Sequence, residues 1–142
     1  MNSSTREKAR LWLPTLSWAV LVFAFLSLPV NLLLAFLFPV SDDPSRWIFP
    51  HADKIVHAFL FGVMAFLLFR PFTQAWRYSP LRAAWAAFAV SSLYGLTMEL
   101  VQSFLPYRQA DAGDVLANAA GAALILLRRK NVRNSRTRPP PP

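Results

Sequence analysis

Four long apolar stretches run along the chain, separated by short segments that hold most of its polar residues. The first has no charged residue between Arg10 and Asp42. A spanning helix needs about 20 apolar residues, so 11–38 is more than long enough to cross a bilayer. Arg6, Lys8 and Arg10 precede it, as in a secretory signal. The apolar core of such a signal runs only about 7–15 residues, so this stretch reads as a retained signal anchor. Pro29 is expected to kink or end the helix, because proline lacks the backbone donor. Residues 30–38 are then a tilted continuation or an interfacial segment.

Residues 41–52 read as a loop, with Asp42, Asp43, Pro44, Arg46 and Pro50; Trp47 suits an aromatic belt at headgroup depth. The pattern predicts a second helix over 53–69, where His57 is the one ionisable interior residue between Lys54 and Arg70. A basic loop follows, with Arg70, Arg77 and Arg82 beside Trp76 and Tyr78. The third helix is predicted over 83–105, apolar in its first half and carrying Glu99 and Gln102 in its second. Pro106, Tyr107 and Arg108 form a turn, and the fourth helix is predicted over 111–127. Ala87, Ser91 and Gly95 recur every four residues on the third helix, and Ala117, Ala119, Ala120, Gly121, Ala122 and Ala123 crowd the fourth. Small residues let backbones approach closely, which is how helices associate in lipid.

Composition agrees with a membrane setting. The chain has 142 residues, enough for one domain, with 55% hydrophobic and 15% charged residues. A soluble domain carries about 25% charged residues. The net charge of +8 suits a nucleic-acid binder by number but not by placement. Arg128, Arg129, Lys130, Arg133, Arg136 and Arg138 lie in one tail, and no soluble scaffold presents them. No nucleic-acid partner is expected. The absence of cysteine excludes disulfides, thiolate metal sites and cysteine nucleophiles. The tail over 128–142 ends in Pro139–Pro142 and has almost nothing apolar to bury, so disorder is expected, with contact to anionic lipid.

Basic residues near helix ends set orientation. With the N-terminus inside, Arg6, Lys8, Arg10, Arg70, Arg77, Arg82 and the six of the tail are cytoplasmic, against Arg46, Lys54 and Arg108 outside. Of the acids, only Glu7 falls inside. The expectation is an all-α integral membrane bundle of about four transmembrane helices in the cytoplasmic membrane, with both termini inside. It comprises a basic N-terminus over 1–10, the bundle over 11–127 and the tail over 128–142.

Three polar groups then meet at the outer face. Asp53 and His57 are four apart, Glu99 and Gln102 three apart, and Asp111, Asp114 and Asn118 line one stripe. A carboxylate at membrane depth is costly and normally faces the protein interior or a watery cavity. Lys54, His57 and Arg108 are the available counter-charges. Two readings stand: a network that locks the bundle, and a polar pocket open to the outside. His57 alone also reads as a satisfied core histidine, and Arg108 alone as a partner of lipid phosphate.

The ordered spacing resembles the VanZ-like family. It runs Asp53-Lys54-x-x-His57-x-x-x-Phe61, then Tyr94-Gly95-x-x-x-Glu99-x-x-Gln102-x-Phe104-x-Pro106-x-Arg108, then Asp111-x-x-Asp114-x-x-x-Asn118-x-x-Gly121. Ser27-Leu28-Pro29 is similar as well, so the resemblance spans about residues 20–127. It implies a small bacterial membrane protein. It also implies a link to the cell envelope and to low-level resistance to teicoplanin and related lipoglycopeptides. By position, Asp53, Lys54, His57, Glu99, Gln102, Arg108, Asp114 and Asn118 match the family pattern.

Three functions compete. The first is a non-enzymatic envelope protein without cofactor or resident metal. Its pocket of Asp53, Lys54, His57, Glu99, Gln102, Arg108, Asp111, Asp114 and Asn118 meets membrane lipid, an envelope precursor or an amphiphilic antibiotic. The second is a membrane enzyme on a lipid-linked substrate, with His57 or Glu99 as general base and Arg108 on an anionic group. In that reading Asp and His can also hold a divalent cation, although no phosphatase, protease or glycosyltransferase motif is recognisable. The third is proton-coupled transport through Glu99 and His57, which in so short a chain requires a homo-oligomer.

Overall fold

The computed structural model describes residues 3–29, 32, 52–108 and 111–127. They form four helices: α1 (Ser3–Ser27), α2 (Ala52–Gln74), α3 (Pro80–Ser103) and α4 (Ala112–Ala123). The first three, of 25, 23 and 24 residues, are long and apolar enough to cross a membrane. The fourth is shorter. Its 12 residues span about 18 Å at 1.5 Å per residue, against a hydrocarbon core of about 30 Å. A further turn carries its apolar run to Leu127. The chain runs up, down, up, down, so α1 and α3 end where α2 and α4 begin. The expected loop over 41–51 with Trp47, most of 30–38, and the tail from 128 lie outside the described residues.

Two helix boundaries differ from the pattern of apolar residues. α1 begins at Ser3 rather than near Leu11, since Glu7, Lys8, Ala9 and Arg10 all favour helix. It stops at Ser27 because Pro29 excludes helical geometry from the residue before it. α2 continues past Arg70 through Pro71 to Gln74. The chain then reverses with Ala75 and Trp76 donating to the Pro71 carbonyl and Tyr78 to that of Phe72. Ser79 caps α3, accepting from the Arg82 amide, and Pro80 fills the first turn, where a missing donor costs nothing.

α2 is the centre of the bundle and packs on all three other helices. Its closest neighbour is α4. A side-chain carbon at Gly121 would stand 1.9 Å from the Ala58 carbonyl oxygen, so only glycine permits this approach. On α3 the small-residue stripe faces inward as its spacing predicts: Ala87 and Ser91 are fully buried, and Gly95 is buried too. Two apolar clusters fill the interior. Met64, Leu68, Phe72, Ala83, Ala87 and Ile125 form one, and Val22, Leu26, Leu60, Phe61 and Met98 the other. Leu13, Val20 and Phe23 of α1, with Ile55, Phe59, Leu93 and Leu100, project outward, as lipid-facing positions do.

Side chains also bond across helices to main-chain oxygens. Trp18 Nε1 donates to Leu60 O at 3.0 Å, Ser91 Oγ to Phe61 O at 2.8 Å, and Tyr94 Oη to Ala19 O at 2.7 Å. Such bonds cost little in lipid, where water offers no competing partner.

Gly121→Ala forces α2 and α4 apart and is expected to destabilise the protein in detergent by about 1–3 kcal/mol, the usual penalty of overpacking. Ala120→Leu, on the exposed face of the same helix, should leave the unfolding midpoint within error. Equal midpoints for both variants would show that the close approach carries no stability.

Candidate functional site

The polar residues gather at the end where α2 and α4 begin. Their N-terminal turns carry Asp53 and Asp114, and Asp111 caps α4 by accepting from the Gly113 amide at 2.8 Å. A helix N-terminus bears a partial positive charge, so each of these carboxylates is favoured where it sits. Glu99 arrives from the last turns of α3.

The inner part of the cluster is buried. His57 and Glu99 are each 4% exposed, Asp114 7% and Asn118 1%. His57 Nδ1 lies 2.9 Å from Asn118 Oδ1 and 3.4 Å from Glu99 Oε1. Glu99 Oε2 accepts the Asp111 backbone amide at 3.4 Å. Glu99 Oε1 and Asn118 Nδ2 are buried without a hydrogen-bond partner. Asn118 reaches this depth because Gly95 opposite has no side chain. A carbon there would be 2.8 Å from Asn118 Cβ.

The rim is more open. Lys54 Nζ stands 2.5 Å from Asp111 Oδ2, 3.1 Å from Asp114 Oδ1 and 3.6 Å from Asp53 Oδ2. One ammonium thus serves three aspartates. Asp53 and Asp111 are exposed, with side chains 58% and 52% accessible, so their pairs with Lys54 are screened and weak. The pair with buried Asp114 is shielded from that screening.

Of the residues singled out in the sequence, Lys54, His57, Glu99, Asp111, Asp114 and Asn118 come together, with Asp53 at the edge. Gln102 and Arg108 do not join them. Gln102 Nε2 donates to Leu26 O at 3.1 Å and Arg108 to Leu28 O at 2.7 Å, while Tyr107 Oη donates to Ser27 O at 2.9 Å. Together they bind three consecutive carbonyls at the end of α1, where the helix leaves its last acceptors open. The expectation that Arg108 balances the carboxylates is thereby corrected. Pro29 ends α1 early, and the orphaned carbonyls draw the guanidinium. Tyr107, read in the sequence only as a turn residue, has this role too; its signal was its place between Pro106 and Arg108 opposite the Ser27-Leu28-Pro29 break.

Two cavities lie away from the cluster. A cleft of about 700 Å³ at the opposite end is lined by Glu7, Lys8, Arg10, Arg70, Trp76 and Arg77 among others, and a groove of about 440 Å³ adjoins it along Pro14, Phe66 and Phe69. They follow from the loose seating of α1 and hold none of the polar cluster.

Arg108→Ala and Tyr107→Phe should each destabilise the protein in detergent by about 1 kcal/mol, the worth of one hydrogen bond. Neither should move the imidazole resonances of His57 by NMR. A shift in those resonances with Arg108→Ala would place the guanidinium in the cluster after all.

Comparison with known proteins agrees with the sequence pattern. A curated relative, an uncharacterised protein of Schizosaccharomyces pombe, is 40% identical over 79 residues, covering 55% of this chain and 46% of its own length. The chain thus spans about half the length of the curated relative it matches. No solved structure matches it. The VanZ/LLP1 family profile covers residues 11–128, and the chain, with its membrane-length helices and its polar cluster within that span, belongs to the VanZ/LLP1 family.

Proposed function

We propose that the chain is a cell-envelope membrane protein that binds the polar headgroup of an amphiphile at its outer face and acts through that binding. The observation that carries this reading is the pair of orphaned polar atoms, Glu99 Oε1 and Asn118 Nδ2, beside His57. An unsatisfied buried polar group costs about 1–3 kcal/mol. That cost is recovered when a ligand supplies the missing donor and acceptor. Hydroxyl or amine groups of a headgroup suit Glu99 and Asp114, and Lys54 at the rim suits an anionic or carbonyl oxygen. The orphans are buried and the rim is open, so a ligand enters past Asp53, Lys54 and Asp111. Arg108 is left out of recognition because it lies outside the cluster: Nη2 donates to Leu28 O, while Nε is buried without a partner.

The VanZ resemblance supplies the candidate ligands: lipoglycopeptides such as teicoplanin, and the lipid-linked envelope precursors that share their setting. The relative in a fission yeast favours a headgroup not confined to the bacterial wall.

One observation favours a second reading. His57 is oriented at once by Asn118 and by Glu99, the arrangement that holds a general base in one tautomer. A lipid-linked substrate would then be turned over rather than held.

Wild type and Glu99→Gln, expressed at matched membrane levels in a sensitive Gram-positive host, separate these readings. Wild type should raise the inhibitory concentration of teicoplanin and retain an amphiphile through purification, as seen by native mass spectrometry. Glu99→Gln should do neither, while Arg108→Ala protein that reaches the membrane should do both. No protection and no retained amphiphile in wild type would sink the binding reading. Release of phosphate from a lipid-linked substrate, lost in His57→Gln, would replace it with the enzymatic one.

A further inference from the structure

The inner cluster has the donors of a metal site. His57, Glu99 and Asp114 each offer a ligand atom, and these atoms all lie within 4.8 Å of one another. All three residues are buried, which is unusual for carboxylates unless they are paired or coordinate a metal. Asn118 Oδ1 sits 2.9 Å from the same imidazole nitrogen.

His57 Nδ1 lies at hydrogen-bond distance from Asn118 Oδ1, but its separation from Glu99 fits ligation better than hydrogen bonding. The 3.4 Å between His57 Nδ1 and Glu99 Oε1 is long for a charge-assisted hydrogen bond, which runs about 2.7–2.9 Å. It is close to the separation of two ligands on a tetrahedral ion with bonds of about 2.0–2.2 Å. The orphaned Glu99 Oε1 lies on that edge. The charges agree: Lys54 is divided among Asp53, Asp111 and Asp114, so among the described residues only the imidazole stands against Glu99.

We propose that His57, Glu99 and Asp114, with Asn118 as a fourth donor, hold one divalent transition-metal ion. One imidazole with carboxylate and amide oxygens is a mixed nitrogen and oxygen set that suits Zn²⁺ or Mn²⁺ rather than Mg²⁺ or Ca²⁺. On binding, His57 ligates through Nδ1, and any proton on that nitrogen leaves to solvent. The positive charge of the ion neutralises Glu99. Lys54 stays on the rim, held by Asp53 and Asp111. The site deepens the headgroup reading and rests on it for its purpose, since a bound cation lets a carboxylate-rich cluster accept a phosphate oxygen directly.

The test uses the full chain purified in detergent, stripped with chelator and then titrated with Zn²⁺, Mn²⁺ or Mg²⁺, with no amphiphile present. Bound metal is counted by mass spectrometry, and affinity is read by competition with a chromophoric chelator. One Zn²⁺ or Mn²⁺ per chain is expected, with Mg²⁺ weaker. Glu99→Gln and His57→Gln should each weaken binding by at least tenfold, whereas Glu7→Gln, at an exposed carboxylate at the opposite end of the bundle, should leave it unchanged within about threefold. Should the buried variants not fold, Co²⁺ added to wild type decides: visible bands of a four- or five-coordinate site with nitrogen ligation support the proposal. A metal content well below one per chain, affinity indifferent to Glu99 and His57, or a Co²⁺ spectrum of the hexa-aquo ion would overturn it. Because no amphiphile is present, this failure is distinct from that of the headgroup reading, which the susceptibility and lipid-retention measurements decide.

Discussion

Lipid offers no hydrogen-bond partner, so a polar group placed in a spanning helix must find one within the protein, on its own helix as Thr97 does or on another. That constraint organises the bundle. Trp18, Ser91, Tyr94 and Gln102 each reach a main-chain oxygen of a neighbouring helix. Helix association here draws on close packing and on such bonds, since apolar burial gains nothing between leucine and lipid. A bundle satisfied in this way everywhere would be inert. The cluster at the carboxylate end holds two buried polar atoms without a partner, Glu99 Oε1 and Asn118 Nδ2; Thr15 Oγ1, Ser27 Oγ, Ser92 Oγ and Arg108 Nε are others elsewhere in the bundle.

The geometry of that cluster descends from one close approach. Gly121 against Ala58 fixes the distance between α2 and α4, and from there His57 and Asn118 fall within 2.9 Å of one another. Gly95 on α3 lets Asn118 penetrate, which brings Glu99 to the same imidazole. Three helices thereby contribute to a single buried spot, α2 with His57, α3 with Glu99 and α4 with Asp114 and Asn118. α1 contributes none. It is fastened through Gln102, Tyr107 and Arg108, so the two polar systems at this end are separable in position and in role.

Much of this was legible in the sequence. The helical class, the small-residue stripes and the convergence of His57, Glu99, Asp114 and Asn118 follow from apolar block length and from i, i+3, i+4 and i+7 spacing alone. The ends of α1 were harder, because apolar length gives the span while helix propensity and Pro29 set the ends. Arg108 was misassigned for a related reason. Charge counting pairs an arginine with the nearest acids, but it is blind to free carbonyls, which become visible only once the end of α1 is placed. The shortness of α4 was likewise hidden, since Ala-rich sequence reads as apolar whether or not it is regular helix throughout. Charge segregation was legible too: Arg10, Arg70 and Arg77 line one cleft far from the cluster.

The cluster is graded from rim to interior, and the grading bears on what it can do. Lys54, Asp53 and Asp111 are accessible, and their mutual attractions are screened enough to be exchanged for those of a ligand at small cost. His57 and Glu99 are not. Removing either leaves a buried polar group without its neighbour, at a cost of about 1–3 kcal/mol. Selection for stability alone would tend to replace such a pair with apolar residues of similar volume, which is often neutral or stabilising. A locked ion pair therefore explains the rim poorly and the interior only at a standing cost. The proposed site, which admits a polar group past Lys54 and meets it with Glu99 and His57, accounts for both layers and for the cluster's own two atoms without partners, Glu99 Oε1 and Asn118 Nδ2.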